Sequence, residues 1–266
     1  METAGQWYVS LPVSMACRRQ QASPHFIVMI VFPSESCYND GSMPGGRFAA
    51  VPAILNNGGH CMNDTMDTIL GKIASPDNAY GGGGVSALAG SLGTALARMV
   101  CHLQERKAEP ALQEEYVSLL DQLASLENRL LSLFEEDAKS FEPLQAMYKV
   151  RPKTDEEKRD KAARMEGLLE QAARTPLDIM ETGCAALRLL DRLADICPKL
   201  LISDIGIAVS LCHTCVKGAE YNVAINAGML KNPDRAAPLL AQRDRLRLEA
   251  DTLFAGMMRK VEDKLG

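Results

Sequence analysis

From Met62 onward apolar residues recur at the three-to-four-residue interval of a helix with one buried face, and polar residues fill the gaps. No stretch alternates apolar and polar with the Val, Ile and Tyr enrichment that strands prefer. Punctuation divides the pattern. A short helix is expected over about 63–73, then the glycine run Gly81 to Gly84 as a turn, then an apolar helix from Val85 to about Gln104. A long helix over about 111–148 ends before Arg151-Pro152, because the residue ahead of a proline is pushed away from helical angles. Thr154 with Glu157 three residues on forms a capping box for the next helix, which is expected to reach Arg174. Pro176 suits the first turn of another, ending near Cys197-Pro198. Ser203 reads as the N-cap of a helix to about Lys231, and Asn232-Pro233 breaks it before the last helix. The expected fold class is all-α, a helical bundle of about six to seven helices. Its faces are rich in alanine, as at Ala87, Ala89, Ala95 and Ala97, which lets helices approach closely and favours a homodimer formed through helices.

Composition changes this picture only at the beginning of the chain. Residues 1–61 mix Gly, Pro, Ser and Asn with short apolar bursts and show no sustained period, so they read as an irregular N-terminal extension to a helical domain over 62–266. A start assigned too far upstream would give the same break at Met62. Arg18 and Arg19 ahead of an apolar stretch resemble a secretory leader only faintly, since Pro24 follows and the apolar run Phe26 to Phe32 is short. That run, the longest purely apolar one, is far below the roughly 20 residues of a membrane span, so no membrane is expected as a partner. Over 266 residues the net charge is −5 with 24% charged residues, and Lys and Arg are interspersed with Asp and Glu, which disfavours nucleic acid. Eight cysteines without miniprotein spacing fit reduced thiols in the cytoplasm.

One residue breaks its own pattern. The long helix carries two seven-residue repeats: Tyr116, Leu123, Leu130, Asp137, Leu144, and Leu119, Leu126, Leu133, Ser140, Met147. Asp137 stands where the neighbouring turns place leucine, and an ionised carboxylate there requires a partner, a cavity or a proton. Burial would raise its pKa toward the range useful to a general acid or base, with Glu135 and Glu136 pushing the same way. The alternative is a structural aspartate, paired with a buried arginine or turned to solvent. The glycine run has a similar double reading. It can carry backbone N–H groups and a helix N-terminus up to a ligand, or it is a flexible turn at a close helix contact. It lacks the Lys-Ser/Thr and the preceding strand of a P-loop.

With its flanks, the run SPDNAYGGGGVSALAGSLGTALARMV resembles the opening signature of the formiminotetrahydrofolate cyclodeaminase and methenyltetrahydrofolate cyclohydrolase family. The likeness continues in Glu135-Glu136-Asp137-Ala138 with Phe141, in TDEEKRDKAARMEGLLEQAARTPLDIMET, and in SDIGIAVSLCHTCVKGAEYNVAINAG, spanning Met62 to about Lys260. The resemblance implies an α-helical dimer in folate one-carbon metabolism and histidine degradation. Its activity would convert 5-formiminotetrahydrofolate to 5,10-methenyltetrahydrofolate and ammonia, or hydrolyse the methenyl compound. It implies no metal or cofactor besides the tetrahydrofolate substrate, and a formiminotransferase as an associated enzyme.

Carried over position by position, the family's catalytic aspartate falls on Asp137. Gly81, Gly82 and Gly83 would bring backbone to the ligand, and Ser203 and Asp204 would hydrogen-bond the pterin or its bridge. Lys107, with Arg106 beside it, is what remains of a basic cluster for the glutamate tail. Asn222 and Asn226, four apart on one helix face, would either reach the ligand or bond between helices. Two departures stand out: Tyr80 where the family has proline, and Gly84 where it has serine or threonine. They put a catalytically weak folate-binding or partner-binding protein beside the two enzyme readings.

Other motifs are weaker. Cys212-His213-Thr214-Cys215 lacks the second ligand pair that zinc needs. No HxE with a following PCxxC supports a zinc deaminase. None of the four histidines stands in a triad context. Glu181 in an apolar helix reads as a second buried acid or as a surface residue.

Overall fold

The computed structural model describes residues 64–76 and 80–266, so the expected N-terminal extension lies outside the described residues. Among these the protein has six α-helices and no strand: α1 (Met66–Ala74), α2 (Gly82–Gln104), α3 (Pro110–Lys149), α4 (Asp155–Ile196), α5 (Ile202–Gly228) and α6 (Pro233–Leu265). The caps explain several of these boundaries. The Thr154 hydroxyl accepts from the Glu157 N–H at 3.2 Å, and the Glu157 carboxylate accepts from the Thr154 N–H at 3.1 Å. Asn232 accepts from the Asp234 N–H at 2.9 Å with Pro233 at the first helical position.

Three expectations are corrected. The chain does not break at Pro176, and α4 runs unbroken from Asp155 to Ile196. An interior proline removes one intrahelical bond, and here a side chain of α5 replaces the missing donor, as described below. Ser203 is not an N-cap. A 3-10 turn, Lys199–Leu201, leads directly into α5, and Leu201 occupies the cap position without a side-chain bond. The glycine run is not wholly a turn either, because α2 begins at Gly82 with Gly81 as its cap.

α2 packs on α3 and α5, and α4 packs on α3, α5 and α6, so α4 and α5 lie at the centre of the bundle. The α2–α5 seam is close. A Cβ at Gly90 would lie 2.8 Å from the Cys215 Sγ, and one at Gly93 would lie 2.8 Å from the Ala208 carbonyl oxygen. With Gly82 beside Asn222 and Gly93 beside Cys212, the two helices run antiparallel. The CxxC cysteines are thus packing residues. Both are fully buried, and burial pushes the Cys212 thiol up to about 12. Ala87 and Ala97 point into the core rather than outward.

α2 and the Lys199–Gly228 stretch are each long and apolar enough to cross a membrane by length and composition. Neither holds a long purely apolar run, because Gly, Ser, Thr and His interrupt their apolar residues. In the bundle they form the α2–α5 seam, with outer stripes at Val85, Leu92 and Met99 on α2 and at Ile207, Tyr221 and Ile225 on α5 left exposed.

Candidate active site

At one end of the bundle four helices converge. α3 brings Asp137, Ser140 and Phe141, α2 its N-terminal Gly82, α4 Ala172, and α5 Asn222, Ile225 and Asn226. Together with Gly81 and Ala138 they line a cavity of about 270 Å3.

The seven-residue stripe explains how Asp137 arrives there. Tyr116, Leu123, Leu130 and Leu144 are all buried, so the same face of α3 turns Asp137 inward, where it is half-buried. Its Oδ2 accepts from the backbone N–H of Gly84 at 2.8 Å. Burial raises the carboxyl above its ordinary value, and the Gly84 bond pulls the other way with less effect. Glu135 and Glu136 do not add to this rise as the sequence suggested. Glu136 pairs with Arg129 at 2.7 Å and Glu135 with Lys139 at 3.7 Å, outside the cavity.

The glycines make this contact possible. A Cβ at Gly83 would sit 2.7 Å from the Asp137 Cγ, inside any tolerable contact, so only glycine lets the carboxylate reach the first turn of α2. The cap residue Gly81 has no side chain to bond that turn's N–H groups, and the Asp137 carboxylate takes the one at Gly84. A Cβ at Gly81 would meet nothing within 4 Å, and one at Gly82 only the Asn222 amide nitrogen at 3.7 Å.

The two amides are both committed through nitrogen. Asn222 Nδ2 donates to the Gly218 carbonyl at 3.1 Å, and Asn226 Nδ2 donates across to the Ala172 carbonyl of α4 at 2.9 Å. Asn226 therefore makes the interhelical bond and still lines the cavity.

Lys107, Ser203 and Asp204 do not join them within one chain. Lys107 follows the C-terminus of α2, and Ser203 and Asp204 open α5, so all three lie at the opposite end of the antiparallel pair, roughly 30 Å along the helices. The reason is topological, since a motif at the start of a helix cannot meet one at its end. Glu181 is a surface residue of α4, hydrogen-bonded by Gln242 at 2.5 Å.

The family model described as Formiminotransferase-cyclodeaminase matches residues 65–245. The chain belongs to this family. It is 29% identical to methenyltetrahydrofolate cyclohydrolase of Methylorubrum extorquens, over 76% of this chain and 98% of that protein. It is 29% identical to formimidoyltransferase-cyclodeaminase of Sus scrofa over 76% of this chain, but it spans only 37% of that longer protein. In fold it resembles the crystal structure of formiminotetrahydrofolate cyclodeaminase from Thermotoga maritima, with a TM-score of 0.69 and 21% identity over 77% of this chain and 98% of that one.

Tyr80 and Gly84 both meet Phe134. Tyr80 stacks on Phe134 with ring centroids 4.3 Å apart. A Cβ at Gly84 would lie 3.2 Å from the Phe134 carbonyl oxygen and 3.4 Å from its ring. Sequence reasoning missed Phe134 because it falls one position off the apolar stripe.

Proposed function

We propose that this family member is a folate one-carbon enzyme acting on 5-formiminotetrahydrofolate, with Asp137 as its acid/base group. The observation that carries the reading is a half-buried carboxyl of raised pKa, held by a helix N-terminus inside a cavity. In this reaction the folate's secondary amine attacks the carbon of the formimino group, an amidine that is protonated at neutral pH, and forms the new C–N bond. The Asp137 carboxylate takes the proton from that nitrogen and gives it to the departing nitrogen, so the old C–N bond breaks with loss of ammonia. A carboxyl that burial raises above its ordinary value gives up and retakes a proton more readily than an exposed one, which suits a group that must serve in both directions. The first-turn N–H groups of α2 keep it within reach of the ionised form. Hydrolysis of the methenyl compound uses the same group, with water as the nucleophile, and the likeness to the Methylorubrum extorquens cyclohydrolase over nearly its whole length supports that second reading. A volume of about 270 Å3 is just below the ~300 Å3 at which pockets enclose drug-sized ligands, so it holds the reacting head of a folate and leaves the tail outside.

A homodimer belongs to this proposal. Ile225 on the cavity wall is 63% exposed and Tyr221 one turn away is 64% exposed, so a covering surface would close the site. A two-fold axis running across α2 and α5 would exchange the ends of the bundle and bring the partner's Lys107, Ser203 and Asp204 toward the cavity. The longer mammalian relatives pair this domain with a formimidoyltransferase by name, which supports association with such an enzyme.

Absorbance of the methenyl compound separates the two reactions. Formation from 5-formiminotetrahydrofolate identifies the cyclodeaminase, and loss of absorbance without formation identifies the cyclohydrolase. A folded protein that does neither contradicts both.

A further inference from the structure

Pro176 lies inside α4 and has no N–H to offer the carbonyl four residues back, that of Ala172. Ala172 is 3% exposed, and a buried carbonyl without a donor is costly. Its partner is Asn226 Nδ2 of α5, at 2.9 Å. An amide anchored through its nitrogen has its orientation fixed, and its oxygen is turned away from the anchor. Asn222, one turn earlier, is anchored the same way to the Gly218 carbonyl. Both line the cavity that holds Asp137, and no described group donates to either amide oxygen.

We propose that Pro176 is a positioning residue of the site: by vacating the Ala172 carbonyl it holds Asn226, with Asn222 beside it, so that the wall opposite Asp137 offers amide oxygens and selects a ligand edge of N–H donors. Resting on the folate reading, that edge is the aminopyrimidine side of the pterin.

Two measurements test the halves separately. Thermal unfolding of Asn226→Ala is compared in the wild-type and Pro176→Ala backgrounds. The substitution lowers Tm by several degrees in wild type and by much less in Pro176→Ala, where the helix satisfies its own carbonyl. Equal losses overturn the Pro176–Asn226 link. Binding of free pterin and of p-aminobenzoylglutamate is then measured by calorimetry. Pro176→Ala, which does not lower Tm, weakens pterin binding about tenfold, one hydrogen bond's worth, and leaves p-aminobenzoylglutamate unchanged. Equal pterin affinity in wild type and Pro176→Ala overturns the donor-edge selection. A wild type that binds no pterin overturns that selection together with the folate reading, while the unfolding cycle still decides the helix link.

Discussion

The two ends of the bundle treat their helix termini differently. At the far end α4 stops with carbonyls pointing outward, and the protein answers them itself. Lys264 Nζ donates to the carbonyls of Ala194, Asp195 and Cys197 at 2.6, 2.9 and 3.0 Å, and the Tyr116 hydroxyl donates to the Ile196 carbonyl at 2.8 Å. At the near end α2 starts with N–H groups that no side-chain cap covers, and a half-buried carboxylate reaches one of them. One terminus is closed for stability, and the other is left open toward a cavity. Chemistry is to be sought where backbone polar groups are not consumed by the fold.

That contrast fixes the expected size of several substitutions. Asp137→Asn keeps the Gly84 bond but cannot carry a proton, and turnover measured by methenyl absorbance falls about 10³-fold. The same variant is more stable at neutral pH. A carboxyl whose folded pKa is raised binds its proton more tightly in the native state, so its charge destabilises the fold increasingly as pH climbs from the ordinary value of 3.8 through the raised one. Melting curves over that interval show the gap between variant and wild type opening with pH. Gly83→Ala displaces the carboxylate and lowers kcat about 10²-fold, with circular dichroism unchanged. At the closed end Lys264→Met costs about 2 kcal/mol in denaturant unfolding and leaves turnover alone, and a matching loss of activity would erase the distinction between the ends. Smallest of all, Glu181→Ala on the surface of α4 shifts stability by no more than about 0.5 kcal/mol.

Local chemistry made much of this legible. The capping box at Thr154, the proline after Asn232 and the seven-residue stripe each act within one or two turns, and each marks a boundary or face that the fold keeps. Asp137 was visible as the stripe's exception because a leucine face tolerates no stray carboxylate. The unbroken α4 was not legible, since the donor that excuses Pro176 lies 50 residues away on another helix. Nor was the start of α2 at Gly82. Glycine is a poor helix former, and only the carboxylate arriving from α3 gives the first turn its reason. The motif residues Lys107, Ser203 and Asp204 were legible as a resemblance, but their place at the opposite end depends on the antiparallel run of α2 and α5, which no local pattern encodes.

The central claim is that the Asp137 carboxyl carries the proton. The most direct test is the pH dependence of kcat/KM for wild type and Asp137→Asn. Wild type is expected to show a limb above the ordinary carboxylate range, and the variant to lose that limb together with the rate. A variant that stays within about tenfold of wild type, with the same limb, would contradict it.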